Sequence, residues 1–142
     1  VRLDAIGQIH RLPEPVQKQL EKSRQQLSKN TGLTLVLALS YGARAEIVDA
    51  SRAIAEKVQS GDLVPEEVTE TMFGMHLYTS QIPDPDLLIR TSGEMRLSNF
   101  LLWQVSYAEM VVTETLWPEF RKAAFYTTLE EFAKRHRRFG KL

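Results

Sequence analysis

The sequence has 142 residues, of which 43% are hydrophobic and 25% are charged, so one globular domain with a hydrophobic core is expected. Eighteen basic residues balance eighteen acidic ones, which argues against a globally basic nucleic-acid-binding protein while leaving a local basic patch open. Cysteine is absent, which excludes disulfides, thiolate zinc sites and cysteine nucleophiles and agrees with a cytoplasmic protein. No apolar run approaches the roughly 20 residues of a membrane-spanning helix, and the first residues do not resemble a signal peptide.

Strands and helices alternate along the first half of the chain. The predicted elements are a strand over residues 1–7, a helix from Pro13 and Pro15 to a stop at 30–32, a strand over 33–39, a helix over about 43–59 ended by Gly61, and a short helix from Pro65 through Phe73. The run over 33–39 is continuously apolar, which is typical of a strand buried on both faces of a parallel sheet. Because the chain begins within a predicted strand and without Met, we expect it to be part of a longer protein.

The second half continues the alternation. Its predicted elements are a loop over 79–85, a strand over 86–91, a polar turn over 92–100, an apolar stretch over 101–110 that its pattern leaves open between helix and strand, a strand over 111–113, a break at Trp117–Pro118 and a helix over 122–138. Together these elements predict an α/β fold, a single and incomplete domain with a mainly parallel sheet flanked by helices.

The residues after the strand over 86–91 favour binding of a phosphate group. Arg90 lies at the end of this strand, Arg96 and Ser98 follow it, and Gly93 lies among them. Guanidinium groups bind phosphate oxygens in two places at once, and hydroxyl groups and exposed N–H groups complete such a site. The alternative is that the two arginines form surface ion pairs with Glu94 or with an aspartate at the strand, and both interpretations stay open.

Three further features each have a functional and a plain interpretation. Ser40–Arg44 is either a tight turn that enters a helix or an anion site at the start of that helix. Glu109, within an apolar stretch, is either a magnesium ligand or, as its pattern favours, the partner of an arginine. The basic segment 134–140 is by default a solvated helix end, with a nucleic-acid patch or a phosphate-binding arm as the alternatives.

Residues 86–109, DLLIRTSGEMRLSNFLLWQVSYAE, resemble the long signature of the cis-prenyltransferases, the undecaprenyl diphosphate synthase family. The resemblance continues through Leu116–Phe120 and Arg137–Gly140, and upstream it includes residues 30–34 and 40–47. It therefore covers nearly the whole chain, and a signature of this length is very specific.

The resemblance implies an enzyme that extends an allylic diphosphate, such as farnesyl diphosphate, by repeated condensation with isopentenyl diphosphate. The expected product is a ditrans,polycis-polyprenyl diphosphate, the precursor of a lipid carrier for cell-wall synthesis. The resemblance also implies a magnesium requirement, a homodimer and a cytoplasmic protein that associates peripherally with the membrane through its lipid product, with no nucleic-acid partner. It assigns isopentenyl diphosphate binding to Arg90, Arg96 and Ser98, magnesium binding to Glu109, and contact with the partner subunit's active site to Arg138 and Gly140.

Two departures from the family pattern affect these expectations. The family often has Asn-Tyr-Gly-Gly-Arg where this chain has Ser40–Arg44, which concerns the geometry of that turn. The Asp-Gly-Asn-Gly-Arg loop, which carries the catalytic aspartate, does not occur in the sequence. We therefore expect that aspartate upstream of this chain and no turnover by the chain alone. The alternative function is a non-catalytic subunit that completes the active site of a partner.

Overall fold

The computed structural model describes residues 1–135, and its polypeptide forms two compact units, of which the first is Val1–Ile82 and the second begins at Pro83. The elements of the first unit are β1 (Arg2–Ile6), α1 (Glu14–Leu27), β2 (Thr34–Ala38), α2 (Ala43–Ser60) and α3 (Glu70–Gly74), and those of the second are β3 (Leu87–Arg90), β4 (Glu109–Val112) and α4 (Lys122–Ala133). Each unit contains one parallel strand pair, so the predicted α/β class with parallel strands is confirmed.

The first unit is organised by the parallel pairing of β1 with β2. The register places Arg2 opposite Thr34 and Ile6 opposite Ala38. Gly7 follows β1 with φ +109°, and a Cβ there would collide with the main-chain carbonyl oxygen of Leu39. Glycine at position 7 therefore allows the carboxyl ends of β1 and β2 to lie close together.

Helix α1 packs against this strand pair and leaves an apolar groove of about 430 Å³. The groove is lined chiefly by the apolar side chains of Leu3, Pro15, Val16, Leu20, Leu37 and Leu39. The prediction that residues 33–39 are buried on both faces is wrong for this chain, because Leu33 is 73% exposed and Leu35 is 47% exposed.

Helix α2 ends where the sequence predicts. Gly61 adopts the left-handed conformation, with φ +82°, and its N–H donates to the carbonyl groups of the last helical turn. The predicted single helix from Pro65 through Phe73 is wrong. A 3₁₀ turn covers Pro65–Glu67, and extended backbone at Thr69 separates this turn from α3, whose first turn is capped by the Thr69 hydroxyl.

The second unit is organised by the parallel pair β3 and β4. Leu87 lies opposite Glu109, Arg90 lies opposite Val112, and Val111 is buried. The ambiguous stretch 101–110 forms turns and then enters β4. The last helix, α4, ends at Ala133 instead of 138, and the end of the predicted helix lies outside the described residues. Over residues 1–135, no helix combines the length and the apolar character needed to cross a membrane.

Candidate functional site

The loop that leaves β3 is bent by residues in the left-handed backbone conformation. Its main chain is fixed to the segment after β4, because the N–H of Ser92 donates to Thr115 O at 3.0 Å and that of Gly93 donates to Thr113 O at 2.9 Å. Positive φ angles occur at Ser92, Gly93, Ser98, Asn99 and Leu101. Non-glycine residues held in this conformation are strained, and such strain clusters at functional sites. The loop is therefore a candidate binding loop on conformational grounds alone.

This loop brings Arg90 and Ser98 together. Arg90 is the last residue of β3, and its Nη2 lies 3.5 Å from the Ser98 hydroxyl oxygen. The Arg90 Nε is buried and has no hydrogen-bond partner among residues 1–135. Arg90 also forms no ion pair within that range. A guanidinium with an unpartnered buried N–H and a hydroxyl beside it has donors available for an anion.

Arg96 is held differently from Arg90. Its Nη1 lies 2.6 Å from Glu94 Oε2, and its side chain is 71% exposed. This is the surface ion pair that the sequence left open as the alternative. Exposed pairs of this kind contribute little to stability, so exchanging the carboxylate for a phosphate costs little free energy.

Gly93 lies against the carboxylate of Glu114. A Cβ at Gly93 would lie 2.5 Å from Glu114 Oε2. The Glu114 side chain is exposed and can move aside, whereas the φ of +65° at Gly93 is a property of the backbone. The loop therefore requires glycine because of its conformation more than because of the contact.

Glu109 does not join the group formed by Arg90 and Ser98. It is the first residue of β4 and pairs with Leu87, three positions before Arg90 in β3. At the rise of a strand, this offset corresponds to about 10 Å along the pair. The Glu109 Oε2 instead accepts a hydrogen bond from Arg135 Nη1 at 3.2 Å, which is the arginine partner that the pattern favoured.

Glu109 can serve as one ligand of a magnesium ion. The described residues contain no group of three His, Cys, Asp or Glu side chains that could hold a metal by itself. Magnesium, however, is usually bound by one or two carboxylates together with substrate phosphates. The Glu109 side chain is 27% exposed, and its Oε1 accepts no hydrogen bond from the described residues. The oxygen chemistry suits this ion, but Glu109 lies beside the Arg135 guanidinium and about 10 Å along the strand pair from Arg90, so the described residues alone do not complete a magnesium site.

A buried polar network in the first unit was missed by the sequence analysis. Glu46 is 1% exposed, and its two carboxylate oxygens accept hydrogen bonds from the Tyr41 hydroxyl at 2.5 Å and from the Tyr78 main-chain N–H at 2.8 Å. The Tyr78 hydroxyl donates to Asp49, which also accepts from Gln8 at 3.1 Å. The network joins the carboxyl ends of β1 and β2 to α2.

The hydrogen bonds of this network shift the pKa values of two of its members. Burial and the hydrogen bond to Asp49 raise the pKa of Tyr78 to about 12. The hydrogen bonds from Tyr78 and Gln8 lower the pKa of Asp49. The sequence did contain a signal for Glu46, because Ala43, Glu46, Ala50 and Ile54 form the buried stripe of α2 at helical spacing. It contained none for Tyr78, which is distant along the chain.

Two other predicted sites have different outcomes. The turn interpretation of Ser40–Arg44 is confirmed, since Ser40 has φ +46° and Gly42 immediately precedes α2. Anion binding at this turn stays a prediction. Arg138 and Gly140 lie outside the described residues.

Comparisons with known proteins identify the relatives of this chain. The family model of undecaprenyl diphosphate synthases matches residues 1–140. An isoprenyl transferase of Porphyromonas gingivalis is 51% identical over 141 residues, which are 99% of this chain and 56% of that protein. The ditrans,polycis-undecaprenyl-diphosphate synthase of Micrococcus luteus, described as (2E,6E)-farnesyl-diphosphate specific, is 46% identical over 142 residues, 100% of this chain and 57% of that protein.

A solved structure also matches. The crystal structure of lavandulyl diphosphate synthase from Lavandula x intermedia, in complex with dimethylallyl diphosphate, has a TM-score of 0.95 and 41% identity, and the match covers 99% of this chain and 60% of that chain. The chain thus spans somewhat more than half the length of the relatives that it matches.

Proposed function

Because the chain belongs to the undecaprenyl diphosphate synthase family of cis-prenyltransferases, we propose that the complete protein condenses isopentenyl diphosphate with an allylic diphosphate such as farnesyl diphosphate. Two relatives support the substrate class, since one is described as specific for farnesyl diphosphate and the other was crystallised with dimethylallyl diphosphate. The proposed product is a ditrans,polycis-polyprenyl diphosphate, the precursor of a lipid carrier for cell-wall synthesis.

The observation that carries this proposal is the group formed by Arg90 and Ser98 at the carboxyl end of β3. In parallel α/β sheets, ligands bind beyond this end of the strands. Arg90 has an unpartnered buried N–H among the described residues, and its Nη2 lies near the Ser98 hydroxyl. Arg96, on the same loop, is held by an exposed ion pair that a diphosphate can replace. These three side chains are proposed to bind the diphosphate of isopentenyl diphosphate.

The proposed reaction forms one carbon–carbon bond in each cycle. The alkene of isopentenyl diphosphate attacks the allylic carbon, the allylic diphosphate leaves with the bonding electrons, and a proton is lost from the condensed product. Arg90 and Arg96 neutralise the diphosphate that is retained and hold the alkene in a fixed orientation. Glu109 would be one ligand of magnesium, which when bound would supply charge stabilisation to the diphosphate groups.

Alanine substitutions of the arginines test this assignment. Loss of one charge-assisted hydrogen-bonding group costs about 1.5–3 kcal/mol, so R90A and R96A in the complete protein should raise KM for isopentenyl diphosphate about 10- to 100-fold. KM for the allylic substrate should change little. Lys18→Ala is the control, because Lys18 forms an exposed ion pair with Glu14 on α1. Normal kinetics of R90A and R96A would contradict the assignment.

The activity of the chain by itself is a separate question. Its relatives are longer, and the family motif that carries the expected catalytic aspartate does not occur in this sequence. We therefore expect no polyprenyl product when the 142-residue chain is incubated with both substrates and magnesium. Steady formation of product by the chain alone would show that this expectation is wrong.

The assembly and location of the complete protein are part of the same proposal. A homodimer is proposed in which the segment with Arg138 and Gly140 reaches the partner's active site, together with a cytoplasmic location and peripheral membrane association through the product. Light scattering of the complete protein tests the dimer. Mixing an R138A subunit with an R90A subunit tests the shared site. The R138A subunit keeps its own Arg90 and receives Arg138 from its partner, so one of the two sites of the mixed dimer should recover activity if the segment acts across subunits.

A further inference from the structure

We propose that an exposed aromatic face of the second unit is the surface on which a second copy of the protein docks. The face consists of Leu116 and Trp117, which precede α4, and of Phe125 and Tyr126, which lie on it. The inference rests on the proposed function, in which the complete protein is a homodimer, and it names the surface that holds the two subunits together.

The aromatic rings of this face hold one another in place. The Trp117 ring stacks on Phe120, with the ring centroids 6.2 Å apart and the planes 11° apart. Phe120 contacts Phe125 edge to face at 6.5 Å, and the Phe125 ring lies 6.2 Å from that of Tyr126. Trp117 also begins a 3₁₀ turn in which Pro118 fixes the backbone. Docking therefore requires little further ordering of these side chains, which reduces the entropic cost of association.

The same rings are nevertheless in contact with solvent. Trp117 is 73% exposed, Tyr126 is 52% exposed and Phe125 is 43% exposed, and Leu116 beside them is 54% exposed. At about 150–250 Å² for each aromatic side chain, the three rings present about 250–420 Å² of surface. This area is about a third to a half of the roughly 800 Å² that each partner buries in a standard interface. Trp and Tyr are also the residues that contribute most to binding at protein–protein interfaces.

The length of chain after Arg135 indicates that the partner lies beside α4. Arg138 follows Arg135 by three residues, and an extended chain of that length spans at most about 11 Å. Helix α4, with 12 residues, is itself about 18 Å long. The starting point is fixed, because the Arg135 guanidinium donates to the main-chain carbonyl oxygen of Met110 in β4 at 2.7 Å. In the proposed homodimer Arg138 enters the partner's active site, so the partner approaches α4 more closely than the helix is long, and the aromatic face is the exposed apolar surface on that helix.

The charges around the face favour a protein partner over a membrane. The exposed charged residues next to it are of both signs, namely Glu119, Glu130, Arg121 and Lys122. Surfaces that dock on anionic lipid are flanked by clusters of basic residues. Charges of both signs instead allow two copies related by a two-fold axis to place opposite charges against each other. We therefore assign the face to a second copy of the same chain.

The experiment measures the dimer dissociation constant of the complete protein by sedimentation equilibrium. The variants are Trp117→Ala and Tyr126→Ala, and Val48→Ala is the matched control, because Val48 is an exposed apolar residue on α2 of the first unit. Truncation of a central interface aromatic weakens binding about 30-fold, and a two-fold interface contains each residue twice. Each aromatic variant should therefore raise the dissociation constant about 100- to 1000-fold, and Val48→Ala should leave it unchanged.

Two further measurements separate loss of association from loss of structure. The aromatic variants should keep the circular dichroism spectrum and the affinity for isopentenyl diphosphate of the wild type, because Arg90 and Ser98 belong to the same subunit. Their specific activity should rise with protein concentration as dimers form. A loss of activity that is the same at every concentration would reveal a local structural effect and contradict the inference.

The remaining outcomes distinguish the surface from the dimer itself. If both aromatic variants keep the wild-type dissociation constant, the inference is wrong while the proposed homodimer stands. If they keep that constant but lose binding to phosphatidylglycerol vesicles, or unfold at lower urea concentration, the face contacts a membrane or the rest of the same subunit, and the inference is again wrong. A wild-type protein that is monomeric at every concentration removes the homodimer and this inference together, whereas the assignment of Arg90 to isopentenyl diphosphate is tested separately by R90A.

Discussion

Replacement of the buried Glu46 should destabilise the first unit more than replacement of any exposed glutamate on the same helix. Glu46 is 1% exposed, and its carboxylate accepts hydrogen bonds from the Tyr41 hydroxyl and the Tyr78 main-chain N–H. E46A leaves two partly buried donors without this acceptor, at about 1–3 kcal/mol each. The expected loss in the free energy of unfolding is therefore about 2–6 kcal/mol.

Matched variants isolate the contribution of the carboxylate. E46Q keeps an acceptor for the Tyr78 N–H but turns an amide toward Tyr41, so its loss should be smaller, about 1–2 kcal/mol. Glu56→Ala on the exposed face of α2 should change the free energy of unfolding by less than about 0.5 kcal/mol. Urea denaturation followed by circular dichroism measures all three. If E46A is no more destabilising than Glu56→Ala, the carboxylate does not support the fold as argued.

Three further outcomes are expected. Gly93→Ala and Gly61→Ala should each lower the free energy of unfolding, measured by urea denaturation, by about 1–2 kcal/mol, because both positions have positive φ. The exposed Glu114 side chain can move away from an alanine at position 93, so a much larger loss for Gly93→Ala would contradict that reasoning. The pKa of Tyr78 is raised from 10.0 to about 12, so the stabilisation that its protonated hydroxyl gives should be complete below pH 10 and should be lost as pH rises through 12. Tyr78→Phe should remove this part of the loss of stability at alkaline pH. Lys18→Ala, which breaks an exposed pair within α1, should change the melting temperature by no more than a degree or two; a larger decrease would show that this exposed pair matters to the fold.

Those parts of the fold that depend on one residue type were predictable from the sequence. Gly61 ends α2 because its left-handed φ is accessible to glycine at little cost. Pro65 did not predict an α-helix reliably, because the fixed φ of proline suits a 3₁₀ turn as well as an α-helix. The α-helix begins later, after its capping residue Thr69. The apolar run at Leu33 and Leu35 shows that these residues favour burial, but it does not say which residues cover them.

The candidate site likewise has a part that local sequence predicts and a part that it does not. Arg90 ends a strand and Ser98 lies on the loop that follows it, so their meeting at the carboxyl end of the strand could be anticipated from local sequence. The separation of Glu109 from Arg90 could not, because it depends on the register of β3 against β4. A shift of one residue in that register would move every side chain of a strand to the other face, and no local pattern specifies it. Arg135 was overlooked for a related reason, since its partners become visible only when α4 is placed beside β4.

The two carboxylates Glu46 and Glu109 show what distinguishes a structural acid from one that can bind a ligand. Both lie among apolar residues, and the cost of burying a charge applies more strongly to Glu46, which is 1% exposed. Its two oxygens, however, are both engaged by donors of the first unit, so the chain itself satisfies the charge. Glu109 has one oxygen engaged by Arg135 and, within residues 1–135, one without a donor, on a side chain that is 27% exposed. The number of acceptor positions left open, and not the apolar character of the neighbouring sequence, is therefore what makes Glu109 the better candidate for a cation.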